Sequence, residues 1–253
     1  MLSYNPSQSA ALPRYRHSEM MVLDRNDVSS FLIAAQDSPY LGLFHLAVTT
    51  GMRQGELFGL KWFNLQWNSG ALHIQRQVQN VPGQGWSFLE PKTRSGRRTI
   101  KLGEGTLQVL RVHKQNLIVL KAVAGNRWKE NDLIFPSSAG TPGNPSNLRV
   151  DFNRVLEKAG LHKIRFHDLR HTAASLLLNN NVSAIVVSRM LGHSKPSTTL
   201  DIYGHLYLEK QDEAAEIMDR LVTPILVNIP EREKQNADLI TEGKRSAPQL
   251  HHF

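Results

Sequence analysis

Apolar positions recur at helical spacing over most of the chain and alternate over one short stretch. This predicts an α+β protein, mainly α, with one small sheet. Asp24 suits a helix N-cap ahead of Val28, Phe31, Leu32 and Ala35, which share a face. Leu41 to Val48 is apolar nearly all round and predicts a central buried helix, with the lone His45 as part of its core. Gly51 ends that helix, and Arg53 starts the next with Glu56 one turn on. From Lys61 the pattern changes. Asn68-Ser69-Gly70 reads as a turn, and Ala71 to Val78 alternates as a strand. Pro82-Gly83-Gln84-Gly85 is a second turn before Trp86 to Leu89. Lys92 to Arg98 makes a third, basic turn ahead of Thr99-Ile100, which completes a small antiparallel sheet.

Gly103 to Val123 predicts a long amphipathic helix through Leu107, Leu110, Leu117 and Leu120, closed by Gly125. Asp132 to Pro136 is a short extended piece, and Leu148, Phe152, Val155 and Leu156 line a helix ending at Gly160. His167, Arg170 and His171 open a further helix that continues through Ala173, Leu176 and Leu177 to the stop at Asn179–Asn181. Ser183 then caps a helix with Ile185, Val186, Met190 and Leu191 as its buried side, and Gly192 suits its C-terminus. Glu209 to Leu226 begins as a helix that Pro224 ends or kinks. Beyond Asn228 the chain is polar and poor in aromatics, so residues 228–253 are expected to be disordered.

The formal net charge is +8, and the tail after Val227 is close to neutral, so the excess belongs to the folded part and favours an anionic partner. With no cysteine, a disulfide framework and Cys-based metal sites are excluded. The polar N-terminus lacks an apolar targeting stretch and no run approaches membrane-spanning length, which predicts a cytoplasmic protein with no membrane partner. His251-His252 at the chain end is read as incidental.

The chemistry concentrates between Leu161 and Tyr207, where two histidines, an arginine and a tyrosine lie on successive helix ends and can converge. Arg170 is a permanent charged fork suited to two phosphate oxygens. A histidine donates to a phosphate or moves a proton near neutrality. Tyrosine, with a pKa of about 10, becomes a nucleophile only when a base takes its proton and cations stabilise the phenolate. The set points to phosphoryl transfer through a phosphotyrosine.

His167-Asp-Leu-Arg170-His171, Leu191-Gly192-His193, Thr198-Thr199 and Tyr203 resemble the tyrosine recombinases, the phage-type integrases. Thr50 to Leu57 and Pro91-Lys92-Thr93 match as well, in the family's order over roughly Met21 to Tyr207. The resemblance implies the catalytic-domain fold of that family, a helical bundle with a small antiparallel three-stranded sheet. It implies a metal-free, cofactor-free DNA strand transesterification. Arg53, Arg170 and His193 would surround the scissile phosphate, Tyr203 would attack, and His167 would accept its proton. Lys92 would protonate the leaving 5′-oxygen. Glu56 would orient Arg53 or support the local fold, and His171 would support the core or the site. Arg94, Arg97, Arg98 and Lys101 would bind DNA.

By the same likeness, residues 1–20 are a linker to a missing N-terminal core-binding domain and residues 21–227 are the catalytic domain. The function implied is that of a site-specific recombinase of a phage or other mobile element, encoded by phage or bacterium. Its partners would be double-stranded DNA, three further copies in a tetramer on paired sites, and accessory DNA-bending or directionality proteins. A zinc hydrolase on His167 and His171 fits badly, because Arg170 would put a cation beside the metal. A helix-turn-helix binder over Ser183 to Tyr203 leaves Arg53, Lys92 and His167 unexplained. A type IB topoisomerase shares the covalent chemistry but not usually this spacing.

Overall fold

The computed structural model describes residues 21–81, 83, 85–91, 94–204 and 211–226. Asp24 caps α1 (Arg25–Ala34) as expected: its side chain accepts from the Asp27 backbone N–H while Asp27 returns the bond. Helix α2 (Leu41–Thr50) is buried on nearly every side, as its unbroken apolar run requires. Phe31 of α1, Phe44 of α2 and Phe152 of α5 (Pro145–Lys158) form a ring cluster with centroids 5.3 to 5.7 Å apart. Phe166 joins it edge-on at 5.6 Å from Phe152, so the turn before α6 (Asp168–Asn179) is anchored in the core. Such tilted pairs add to the area they bury, and they fix where α6 begins.

The sheet region divides where the alternating pattern gave one strand. Ala71 to Val78 is split: β2 (Ala71–Ile74) pairs antiparallel with β1 (Leu65–Gln66) and β5 (Arg98–Lys101), in the order β1-β2-β5. Strand β3 (Gln77–Val81) leaves that sheet and pairs instead with β4 (Gly85–Leu89) as a separate hairpin. The physical reason lies in packing against α3 (Gln54–Phe58): a Cβ on Gly55 would stand 2.9 Å from the Val78 carbonyl, so β3 is drawn onto α3. On β5 the register sets Ile100 opposite Leu72 and Arg98 opposite Ile74, with Leu72, Ile74 and Ile100 buried.

Helix α4 (Glu104–Ala124) buries Leu107 and Leu110, whereas Leu117 and Leu120 are only half-covered. Asp132 to Pro136 forms no strand; Leu133, Ile134 and Phe135 fill the core, with isolated bridges from Leu133 to Lys61 and from Pro136 to Pro142. Helix α7 (Ala184–Leu191) buries Leu191 and packs Met190 on the core as expected, but its first turn is rotated from the expected face. Val187, Ser188 and Leu191 are buried, while Ile185 and Val186 are exposed. In a run of Ile-Val-Val no polar residue marks the phase, so periodicity had nothing to read there. Helix α8 (Pro196–Tyr203) ends this unit.

By itself, α9 (Gln211–Leu226) is amphipathic, with Ile217, Met218, Leu221 and Val222 exposed on it, and it continues past Pro224. Residues 1–20 and 228–253, read as linker and tail, lie outside the described residues. No helix among the described residues is long and apolar enough to cross a membrane.

Candidate active site

The site is built on the end of α2. Gly51 takes φ 62°, the left-handed cap that only glycine adopts without cost, and its would-be Cβ lies 2.5 Å from Leu191. The chain therefore reverses tightly enough to present Arg53 as the first residue before α3. The Arg53 backbone N–H donates to Glu56 Oε2 at 2.9 Å and its Nη1 donates to Oε1 at 3.2 Å. Arg53 keeps 41% of its side chain exposed, while Glu56 keeps 3%.

Arg170, on the first turn of α6, is 4% exposed. Its Nη1 donates to the Gly51 carbonyl at 2.7 Å, which ties α6 to the α2 turn. Its Nη2 is buried and finds no acceptor among the described residues. Burial, then the charge of Arg53, pushes Arg170 down to about 9. A buried cationic donor left open is costly, so this nitrogen is placed to take an acceptor from solvent or from a ligand.

Tyr203, the last residue of α8, is 2% exposed, and burial pushes its phenol up to about 12. Its hydroxyl lies 2.7 Å from His171 Nδ1. The family resemblance implies His167 as the acceptor of this proton; the structure puts His171 at the hydroxyl. His167 stands behind it, ring edge to face at 5.4 Å. Burial lowers the pKa of His171, and Asp168 opposes this while Arg170 adds to it; the net shift is downward, so the ring is neutral at pH 7 and able to accept.

Gly192 caps α7 at φ 73° and turns the chain so that His193 faces the arginines. His193 Nδ1 meets Thr199 Oγ1 at 2.8 Å, a contact the sequence alone did not reveal. Burial first, then Arg170, Arg53 and Arg98, take His193 down to about 4, so it is a neutral ring here. Asp168, beside the site, is taken by Arg165, which donates from its backbone N–H at 2.7 Å and from Nη2 at 2.9 Å.

The structure thus brings Arg53, Glu56, Arg170, His171, His193 and Tyr203 to one place, with His167 at its border. Lys92 lies outside the described residues, as does the side chain of Arg94. Arg97 is exposed and paired with Glu90, and Lys101 is exposed on β5. Arg98 departs from its expected role as a DNA contact. It faces inward with Ile100, 7% exposed, and its guanidinium is occupied by Glu56 and the Met190 carbonyl. With the Gly96 carbonyl at 3.4 Å from Nη1, four of its five N–H groups are engaged within the protein.

The same burial gives a pH dependence of folding. His45, His113, His171 and His193 are all held below their ordinary value, burial first in each case. The unfolded chain takes up these protons first, so their contribution is present above about pH 6.5 and is lost as pH falls below it. Glu56 and Asp168, also lowered, give up theirs in a lower window, below about pH 4.5. Melting temperatures measured from pH 8 to pH 5 are expected to be level above pH 7 and to drop below pH 6.5. A rise on acidification would contradict the burial of these rings.

Residues 21–210 match the family described as the phage integrase family. A XerC-like tyrosine recombinase of Caldanaerobacter subterraneus subsp. tengcongensis is 32% identical over 190 residues, 71% of this chain and 49% of that protein. The ICEBs1 integrase of Bacillus subtilis is 26% identical over 224 residues, 88% of this chain and 60% of that protein. The chain therefore spans about half to three fifths of the length of these relatives. In fold it is similar to the Tn1549 transposon integrase solved with transposon right end DNA, at TM-score 0.70 and 24% identity, covering 87% of this chain and 71% of that one. It is also similar to the XerA recombinase, at TM-score 0.58 and 22% identity over 83% of this chain and 66% of that one. With four motifs converging on one buried, charged site and three quarters of its length matched, the chain belongs to the phage integrase family.

Proposed function

We propose that this chain is the catalytic part of a site-specific DNA recombinase that cleaves and rejoins strands through a 3′-phosphotyrosyl intermediate. The observation that carries this reading is the open Nη2 of buried Arg170, beside Arg53 and the Tyr203–His171 pair. A phosphodiester oxygen would satisfy that donor, and no apolar or cationic ligand would. The Tyr203 oxygen attacks phosphorus in line while its proton passes to His171 Nδ1. Arg53, Arg170 and the neutral His193 hold the non-bridging oxygens as their charge grows. The bond from phosphorus to the 5′-oxygen breaks, and that oxygen takes a proton from Lys92, a role carried by the family resemblance. The new ester conserves the bond energy, so the strand of a second duplex reverses the step without a nucleotide.

We take residues 21–227 as the catalytic domain, DNA as the partner, and four protomers on two paired sites as the working assembly, in the cytoplasm and with accessory DNA-bending or directionality proteins. The DNA complexes of the Tn1549 integrase and of XerH support the partner. Incubating the chain with a nicked duplex that traps cleaved product is expected to give a covalent protein–DNA adduct, and the adduct should form equally well with EDTA present. A strict Mg²⁺ or Zn²⁺ requirement, or no adduct on any duplex carrying the cognate site, would overturn the reading.

A further inference from the structure

Glu56 is a carboxylate buried within reach of a site that must attract a phosphate, and left alone it would oppose that task. Its neighbours account for all its accepting capacity. Oε1 takes Nη1 of Arg98 at 3.0 Å and Nη1 of Arg53 at 3.2 Å. Oε2 takes Nη2 of Arg98 at 2.9 Å and the backbone N–H of Arg53 at 2.9 Å. The bidentate, nearly dry pairing is with Arg98, 7% and 3% exposed, while Arg53 spends a single guanidinium N–H on it and stays 41% exposed. Burial pushes the Glu56 carboxyl up, yet Arg98 foremost and then Arg53 bring it below its ordinary value, so the pair is ionic.

We propose that Arg98 is a positioning residue: by claiming Glu56 in a fork-to-fork pair it leaves Arg53 free for the scissile phosphate. Among the described residues Arg98 pairs with Glu56 and Arg165 with Asp168, so the charge of Arg53 and Arg170 is left in excess. Without Arg98, both oxygens of Glu56 turn to Arg53, which is the remaining cation bonded to them. Arg53 is then drawn off the phosphate, and a partly unpaired anion faces the DNA. The same guanidinium reaches the other side of the site. Its Nε donates to the Met190 carbonyl at 2.6 Å, and a Cβ on Gly192 would lie 2.8 Å from its Nη1. The end of α7 that presents His193 therefore rests on the group that holds Glu56. Arg53 and His193, 140 residues apart in sequence, are set relative to one another by one side chain.

This inference rests on the recombinase reading, and the two fail differently: without phosphotyrosine chemistry the unaltered protein forms no adduct at all. The test compares Arg98→Lys, Arg98→Met and the double variant Arg98→Met/Glu56→Gln on the nicked duplex, with single-turnover adduct rate and duplex Kd measured for each. Arg98→Lys keeps a charge but not the fork, and Arg98→Met keeps neither; each is expected to slow cleavage about 10²-fold with Kd within about threefold of the unaltered protein. The double variant removes both charges together, leaves no ion unpaired, and is expected to cleave at least about tenfold faster than Arg98→Met.

A bolt of purely structural value would lower the melting temperature and weaken duplex binding in step with the rate, whereas a positioning residue shows in the cleavage rate at unchanged Kd. Should Arg98→Met fail to fold, the other two variants decide. Cleavage at the unaltered rate in Arg98→Lys overturns the proposal. So does a folded, duplex-binding double variant that cleaves no faster than Arg98→Lys.

Discussion

Tyr203→Phe is expected to remove the covalent adduct altogether while leaving the fold and duplex binding in place. The side chain is buried, so the ring continues to fill its space, and the loss is confined to one hydroxyl and its bond to His171. Leaving that imidazole nitrogen without its partner costs about 1 kcal/mol, too little to unfold a domain of this size. The reaction, in contrast, has no other oxygen at that point. The free phenol is a poor nucleophile, since burial holds it at about 12, and it depends on a base in contact with it. His171→Ala should therefore slow adduct formation by about 10²–10⁴-fold, the usual worth of such a base, and His167→Ala by distinctly less. Tyr207, four residues on, lies outside the described residues and is the control. An adduct that survives Tyr203→Phe and vanishes in Tyr207→Phe would displace Tyr203 from its role. A larger loss in His167→Ala than in His171→Ala would return the proton to His167.

What could be read in the sequence was whatever depends on local pattern. The Asp24 cap, the all-apolar α2, the glycine turns at Gly51 and Gly192 and the grouping of Arg53, Arg170, His193 and Tyr203 all follow from neighbours a few residues apart or from the family's motifs. The rest is set across long separations. His171 and Tyr203 meet over 32 positions, and no spacing rule distinguishes that contact from one made by His167 a turn earlier. Arg98 reads as a DNA contact from its place in a basic turn. Its parity with Ile100 on a half-buried strand was the signal that it faces inward, but a charged residue on an inner face makes sense only once Glu56 is known to lie 42 positions away in contact. The break after Ile74 was equally hidden, because an alternating run states which residues share a face and not which strand each half pairs with.

The second large effect belongs to Arg170. Its guanidinium does two things at once: Nη1 closes the α2 turn through Gly51, and Nη2 waits without an acceptor in the described structure. A lysine at this place keeps a positive charge but offers no planar fork, and it can satisfy the Gly51 carbonyl or the phosphate from one nitrogen only. Arg170→Lys is therefore expected to lower the single-turnover cleavage rate by about 10²–10³-fold, the worth of one preorganised donor at a developing oxyanion. Duplex affinity should change little, because it is spread over many phosphate contacts. A methylphosphonate at the scissile position supplies the control. That linkage carries no charge in the ground state, so it asks less of the cations around it, and the gap between Arg170→Lys and the unaltered protein should shrink on it. If Arg170 served only to brace the α2 turn, the variant would be equally slow on charged and neutral linkages and its melting temperature would fall in step. That outcome would take the phosphate away from Arg170 and, with it, the observation on which the functional reading stands.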